Sequence, residues 1–445
     1  MTAFLTWYFL ITFLGWLTFP LAFILFPAFA DRGYTLSRAV GMLIWGYVFW
    51  MFASLGIAQN DSGGIILALI FVVALSGWVL VNRKSEIVNF LKSNLAPLLT
   101  AEILFFVAFA FLAFVRSANP ELNGTERPME LAFINAILRS PTFPPQDPWL
   151  SGYAISYYYF GYVMTAMLAR LSGIAGSMAH NLMTSLIFAL AAVGSYGILY
   201  NLLAKADYGQ QTMDRRPASS VYGLFAPLFL LLVSNFGALL EVLHRLGLFW
   251  TKDATGQYTS AFWKWLDIKD LSEPPILPFQ FVPDRYLWWW RSSRVLQDYD
   301  MVGNPLEVID EFPFFSFLLG DLHPHVLALP FGLLAIAAAL HLFLGGWRGE
   351  IRLPWGANIN INYTGFLFSA LLLGGLAFLN TWDILISAAL IVGSYVCWRA
   401  SEDGWSWERL EDVFLLGLPL GFLAILLYLP SIWDSHRRRV EFCPT

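Results

Sequence analysis

The chain has 445 residues, 58% of them hydrophobic and 13% charged, with a net charge of −5 and a mean hydropathy of +0.61. Soluble domains carry roughly 25% charged residues, so this composition describes a membrane protein, and its small, dispersed charge excludes a nucleic-acid partner. Cys397 and Cys443 supply neither a disulfide framework nor a metal-ligand spacing.

Apolar runs long enough to span a bilayer recur along the chain. Four lie in residues 1–115, near 4–26, 39–58, 64–82 and 95–115. A polar, proline-punctuated insert follows over 116–152, then spans over 153–243 (near 153–171, 181–203 and 221–243) that open on a tyrosine triplet. An aromatic-rich segment covers 244–325, and the last spans fill 326–430, near 326–345, 363–380, 384–399 and 413–430. The fold class expected is all-α: a polytopic integral membrane protein of about eleven helices, multi-pass in the cell membrane. The tail over 431–445 changes style abruptly, with three consecutive arginines. Its back-translation has a neighbouring frame that continues as apolar sequence, so a frameshift or gene break is expected, with further spans missing.

Lysine and arginine in short loops set the orientation. Arg32 and Arg38, Arg83, Lys84 and Lys92, Arg348 and Arg352, and Arg399 and Arg409 mark cytoplasmic loops. The 116–152 insert, the 244–325 segment and the Asn380–Asp383 hairpin then fall outside. Three crossings between 153 and 243 would contradict this placement. Either one of those segments is re-entrant or interfacial, or a crossing hides in the aromatic stretch.

In the insert, Asn123 or Thr125 is a candidate cap and Pro128 suits a first helical turn, with Pro141 preventing continuation beyond Arg139. Glu126 and Glu130 share a face of that helix, and Arg127 lies three residues before Glu130. Two neighbouring carboxylates at a membrane edge suit a general base or metal ligand; the plainer reading is an interfacial helix. Asp147, between Pro145 and Pro148, is a rigidly held carboxylate or a turn element. Tyr157, Tyr158 and Tyr159 form either an interfacial belt or a phenol-lined wall for a sugar or lipid headgroup.

A second constellation reads Asp321-Leu-His323-Pro-His325. In an extended backbone its acid and two imidazoles alternate onto one side, about 6–7 Å apart. Such a set could bind a divalent metal ion or a phosphate, although the spacing matches no standard zinc pattern. Upstream, Trp290, Arg291 and Arg294 fit a phosphate clamp beside an aromatic wall, or else a membrane anchor. Asn380, Trp382 and Asp383 belong to a tight hairpin between spans, where polar groups are costly unless used. Glu102, Asn235 and His341 are single polar residues in the spans, and Glu102 needs a partner or cavity.

Three blocks, FINAILRSPTFPPQDPWLSGYAISYYYFG, EFPFFSFLLGDLHPHVLALP and FLNTWD, together resemble the Chlor_Arch_YYY family of large, very hydrophobic membrane proteins. That resemblance implies a longer protein and no particular activity. The insert more distantly resembles the first external loop of GT-C class glycosyltransferases, in which external loops form the site and a loop acid is base or metal ligand. It implies Glu130, then Asp147, as that acid, although four spans precede the loop here. The expected function is sugar transfer on the outer face from a polyprenyl-phosphate donor to a glycan, lipid or protein acceptor. Arg291, Arg294, His323 and His325 would hold the donor phosphate, directly or through a metal at Asp321. The rival readings are a transporter or flippase, and a non-catalytic scaffold.

Overall fold

The computed structural model describes residues 1–208, 216–284, 288–354 and 356–431. The 432–445 tail, with Cys443, lies outside the described residues. The chain forms two compact units, residues 1–227 with 320 onward, and residues 228–319.

The first unit is a helical bundle. Its early helices are α1 (Thr2–Leu25), α2 (Ser37–Ser54), α3 (Ser62–Ser93), α4 (Leu95–Ala118), α5 (Arg127–Arg139), α6 (Phe160–Ser172) and α7 (Gly176–Tyr208). Two short helices follow, α8 (Arg216–Tyr222) and α9 (Phe225–Pro227). In the second unit lie α10 (Gly237–Arg245), α11 (Ala261–Leu266), α12 (Trp288–Arg291) and α13 (Pro313–Leu319). The first unit resumes with α14 (Pro324–Phe343), α15 (Tyr363–Leu379), α16 (Thr381–Asp403) and α17 (Glu408–Leu427).

Among the described residues, eight helices are long and apolar enough to cross a membrane, or nine if the bent pair Ser219–Val233 and Gly237–Arg245 counts as one span. That pair meets at 69°. The expected crossings at 153–171 and 363–380 become α6, with 13 residues, and α15, with 17.

Helix α7 is the axis of the bundle, with 89% of its most apolar stretch buried, against 17% for α17. It packs on α4, α14, α5 and α6. One end of the bundle gathers the α1–α2 loop and the C-terminal ends of α7, α14 and α16. There the Trp347 indole donates to the Leu25 carbonyl at 2.6 Å, and Asp31 exchanges hydrogen bonds with Asn201 at 2.8 and 3.1 Å. Arg348 reaches Glu402 and stacks on Trp398 at the same end. The opposite end gathers the end of α4, the insert, and the beginnings of α7, α14 and α16.

Helix α6 does not run between these ends. Phe160 at its start stacks on Phe378 at the end of α15, 5.3 Å between centroids. At its other end Arg170 donates to the Leu138 carbonyl at 2.6 Å, and Ser172 accepts from the Trp7 indole at 2.9 Å. Both attachments belong to the insert end. At about 20 Å a 13-residue helix is also short for a bilayer core. Its close seat against α14 depends on Gly161, because a Cβ there would lie 2.6 Å from Leu327. The insert, the Asp321–His325 turn and the Asn380–Asp383 hairpin thus occupy one end of this unit.

The second unit has a core of Trp250, Trp263 and Leu271. Hairpins β1–β2 (Thr251–Lys252, Tyr258–Thr259) and β3–β4 (Asp298–Tyr299, Pro305–Leu306) project from it. A third hairpin, β5–β6 (Ile351–Arg352, Asn358–Ile359), belongs to the first unit.

Candidate functional site

Helix α5 builds the site. Pro128 supplies its first turn, and it ends at Ser140, whose extended backbone (φ −73°, ψ 122°) is the conformation favoured before Pro141. Asn60 caps this C-terminus, donating to the carbonyls of Ile137 and Ser140 at 2.6 and 2.7 Å. The N-terminus is not capped by Asn123 or Thr125. Asn123 bonds Glu121, and Thr125 Oγ1 donates instead to Asp321 at 2.7 Å. That contact ties the insert to the turn before α14.

Two carboxylates one helical turn apart reach that turn separately. Glu130 Oε2 lies 2.7 Å from His180 Nε2 on α7 and accepts the Leu322 N–H at 2.9 Å. Glu130 and His180 are both wholly buried. Glu130 Oε1, His180 Nδ1 and the Tyr162 hydroxyl are buried without a hydrogen-bond partner among the described residues, and Tyr162 is within electrostatic reach of Glu130. Buried polar groups are rarely left incompletely bonded, so this cluster departs from what packing alone requires.

The outer layer is accessible. Glu126 Oε2 and His323 Nε2 are 2.5 Å apart, with side chains 53% and 30% exposed. His323 is the extended N-cap of α14 (φ −63°, ψ 155°), and Pro324 opens the helix. The segment is therefore not a continuous strand. The cap and the second helical residue nevertheless bring the imidazoles together, with Nδ1 of His323 and His325 3.0 Å apart. One tautomer set satisfies the row: His325 Nδ1–H donates to His323 Nδ1, and His323 Nε2–H donates to Glu126. The Tyr157 hydroxyl stands 3.4 Å from His323 Nε2, with its ring stacked on Phe133. Burial first, then Glu126, Tyr158 and Glu130, raise the Tyr157 phenol above its ordinary pKa. Asp383 on α16 interacts electrostatically with His325, and the Asn380 side chain bonds that carboxyl group.

Behind this row, Arg127 Nε faces Asp321 Oδ1 at 3.7 Å and its Nη1 donates to the Glu121 carbonyl at 3.1 Å. Arg116 at the end of α4 donates to Asn181 at 2.9 Å, and Asn181 donates to the Pro120 carbonyl at 3.0 Å. Gly320, at φ +80°, leaves the space that the Arg116 guanidinium fills. Asp321 thus serves Thr125 and Arg127. Among the described residues no group of three or more His, Cys, Asp or Glu is arranged to hold a metal ion.

The other predicted residues have contacts of their own. The Asp147 carboxylate accepts from the backbone of Trp149 and Leu150 at 2.8 and 2.9 Å, an Asx turn, and makes no hydrogen bond or ion pair with the Glu130 cluster. Tyr159 is buried against Phe378, and its hydroxyl accepts from the Trp50 indole at 3.4 Å. Tyr158 packs on Tyr157. None of the three tyrosines is helical, since α6 begins at Phe160. Trp382 projects outward. In the second unit, Arg291 pairs with Asp270 and Arg294 with Glu307, each at 2.7 Å, and Arg294 stacks on Trp290 at 3.7 Å.

His180 and Arg116 were not legible as site residues. Each sits at the boundary of an apolar run, and only the pairing of α7 with α5 and α4 gives them partners. No curated protein and no solved structure matches the chain. A family match does extend over residues 44–444, nearly the whole sequence. With its apolar helices the chain therefore belongs to the family described as uncharacterized membrane protein (DUF2298).

Proposed function

We propose that this multi-pass membrane protein is a glycosyltransferase of GT-C-like architecture that uses a polyprenyl-phosphate-linked sugar at the insert end of its bundle, taken as the outer face. The observation that carries this reading is the exposed Glu126–His323 pair, 2.5 Å apart, resting on the buried Glu130–His180 pair. The acceptor hydroxyl oxygen attacks the anomeric carbon, and its proton passes to the Glu126 carboxylate, which His323 orients. The bond from the anomeric carbon to the phosphate oxygen breaks, and its electron pair leaves with the polyprenyl phosphate. His325 in that row and Arg127 behind it stabilise that anion. Glu130 acts through position, holding the Leu322 backbone and hence His323, and Asp147 shapes the loop. Tyr157 forms one wall.

A carrier would place ionisable groups along a path through the bundle. The intramembrane Glu102 is instead held by Arg38 at 2.6 Å and Tyr34 at 2.8 Å, which favours the enzyme. The test uses purified full-length protein in liposomes with a radiolabelled polyprenyl-phosphate sugar and a hydroxyl acceptor. Transfer is expected, with a loss of about 10²-fold or more in Glu126→Gln and His323→Asn, as for removal of a general base. Undiminished transfer in both variants contradicts the assignment, and movement of the lipid-linked sugar across the bilayer without transfer supports a flippase.

A further inference from the structure

The face of α5 turned away from the Glu130 cluster borders an open groove of about 510 Å³, within the range of small-molecule sites. Its apolar lining comes from Pro128, Leu131 and Leu138 of α5 and from Trp149 of the loop that follows. Pro128 and Arg139 mark its ends along the helix, about 16 Å apart at the helical rise. Asn135 is the neutral polar group within it, and Arg139 supplies the charge at the C-terminal end. No acidic residue lines the groove. The nearest acid in sequence, Asp147, spends its carboxylate on its own turn. Arg139 is exposed and has no ion-pair or hydrogen-bond partner among the described residues. The neighbouring Arg170 is occupied at the Leu138 carbonyl, 2.6 Å away.

A groove lined by apolar side chains along α5 and by an unmatched guanidinium at the end of that helix, at one end of a membrane bundle, matches one amphipathic chemistry. The hydrocarbon chain lies on Leu131 and Trp149, and the phosphate pairs with Arg139. We infer that this groove binds a single anionic phospholipid of the surrounding bilayer. The site is separate from the Glu126–His323 pair, and the inference stands independently of the proposed transferase activity.

The test is native mass spectrometry of the full chain released from mixed micelles. The probes are phosphatidylglycerol, phosphatidylcholine and a polyprenyl phosphate, each titrated alone. The wild-type protein should retain one phosphatidylglycerol in preference to phosphatidylcholine. Arg139→Gln should reduce that occupancy roughly tenfold, the scale of one charge-assisted hydrogen bond, and Arg139→Lys should keep most of it. Leu131→Asn should weaken binding of all three probes, with the thermal transition of each variant confirming that it folds. Equal retention of the two phospholipids by wild type, or unchanged binding by Arg139→Gln, overturns the inference. Selective, Arg139-dependent retention of the polyprenyl phosphate also overturns it, and would make the groove part of the donor site.

Discussion

Replacing Glu130 by alanine removes the carboxyl group that joins three elements. The carboxyl and the His180 imidazole are each wholly buried and 2.7 Å apart, and the same oxygen accepts the Leu322 N–H at 2.9 Å. Taking one partner from a buried pair leaves the other desolvated and unmatched, at about 3–5 kcal/mol. The orphaned Leu322 N–H adds about 1–3 kcal/mol. Glu130→Ala should therefore destabilise the first unit by at least about 3 kcal/mol, and His180→Ala by a similar amount. Because the two losses share one contact, the double variant should cost less than their sum by about 1–3 kcal/mol. Glu130→Gln keeps an acceptor for Leu322 and a donor for the other imidazole tautomer, so it should cost less than half as much as the alanine variant. Reversible unfolding in mixed micelles, followed by tryptophan fluorescence, measures all four variants. A loss below about 1 kcal/mol for Glu130→Ala, the ordinary effect of a single substitution, would contradict a buried Glu130–His180 pair. Strict additivity of the pair would refute it too.

Three further outcomes are expected. Gly320→Ala combines a left-handed backbone (φ +80°) with a collision against Arg116, and should lower stability by at least about 1–3 kcal/mol in the same unfolding assay. Thr125→Val removes the 2.7 Å bond to Asp321 and should cost about 1 kcal/mol, with no change expected if that bond is absent in solution. Tyr157 has its phenol pKa raised in the folded state, chiefly by burial, above the ordinary value of 10.0. The unfolded chain therefore loses that proton first, and stability should fall as pH rises through and above about 10. Tyr157→Phe should blunt this alkaline loss, as read from unfolding midpoints across that range.

The membrane class was legible because hydropathy acts over whole helices, and the long runs at 4–26, 95–115 and 326–345 correspond to α1, α4 and α14. The extent of α5 was legible from Pro128 and Pro141, which act locally. The fate of 153–171 was not. Its apolar residues read as a span, and only the contacts of Phe160 at one end and of Arg170 and Ser172 at the other show that both ends of α6 attach at one end of the bundle. In the candidate site, Glu126, Glu130, His323 and His325 stood out by residue type and spacing. Their partners did not, since His180 is brought to Glu130 across fifty residues of sequence by the packing of α7 on α5. Asp147 was readable either as a rigidly held carboxylate or as a turn element, and its turn shows only in the backbone, where the Trp149 and Leu150 N–H groups donate to that carboxylate.

In the proposed reaction an exposed carboxylate–imidazole pair, Glu126 with His323, takes a proton from a hydroxyl acceptor during sugar transfer. The most direct measurement is the single-turnover rate of acceptor-dependent release of polyprenyl phosphate from a radiolabelled donor, for wild type and Glu126→Gln at equal donor occupancy. Release by wild type and a rate about 10²-fold lower in the variant, with donor binding retained, is the outcome this role for Glu126 requires. Equal rates in the two proteins, or no acceptor-dependent release by the folded wild-type chain, would contradict it.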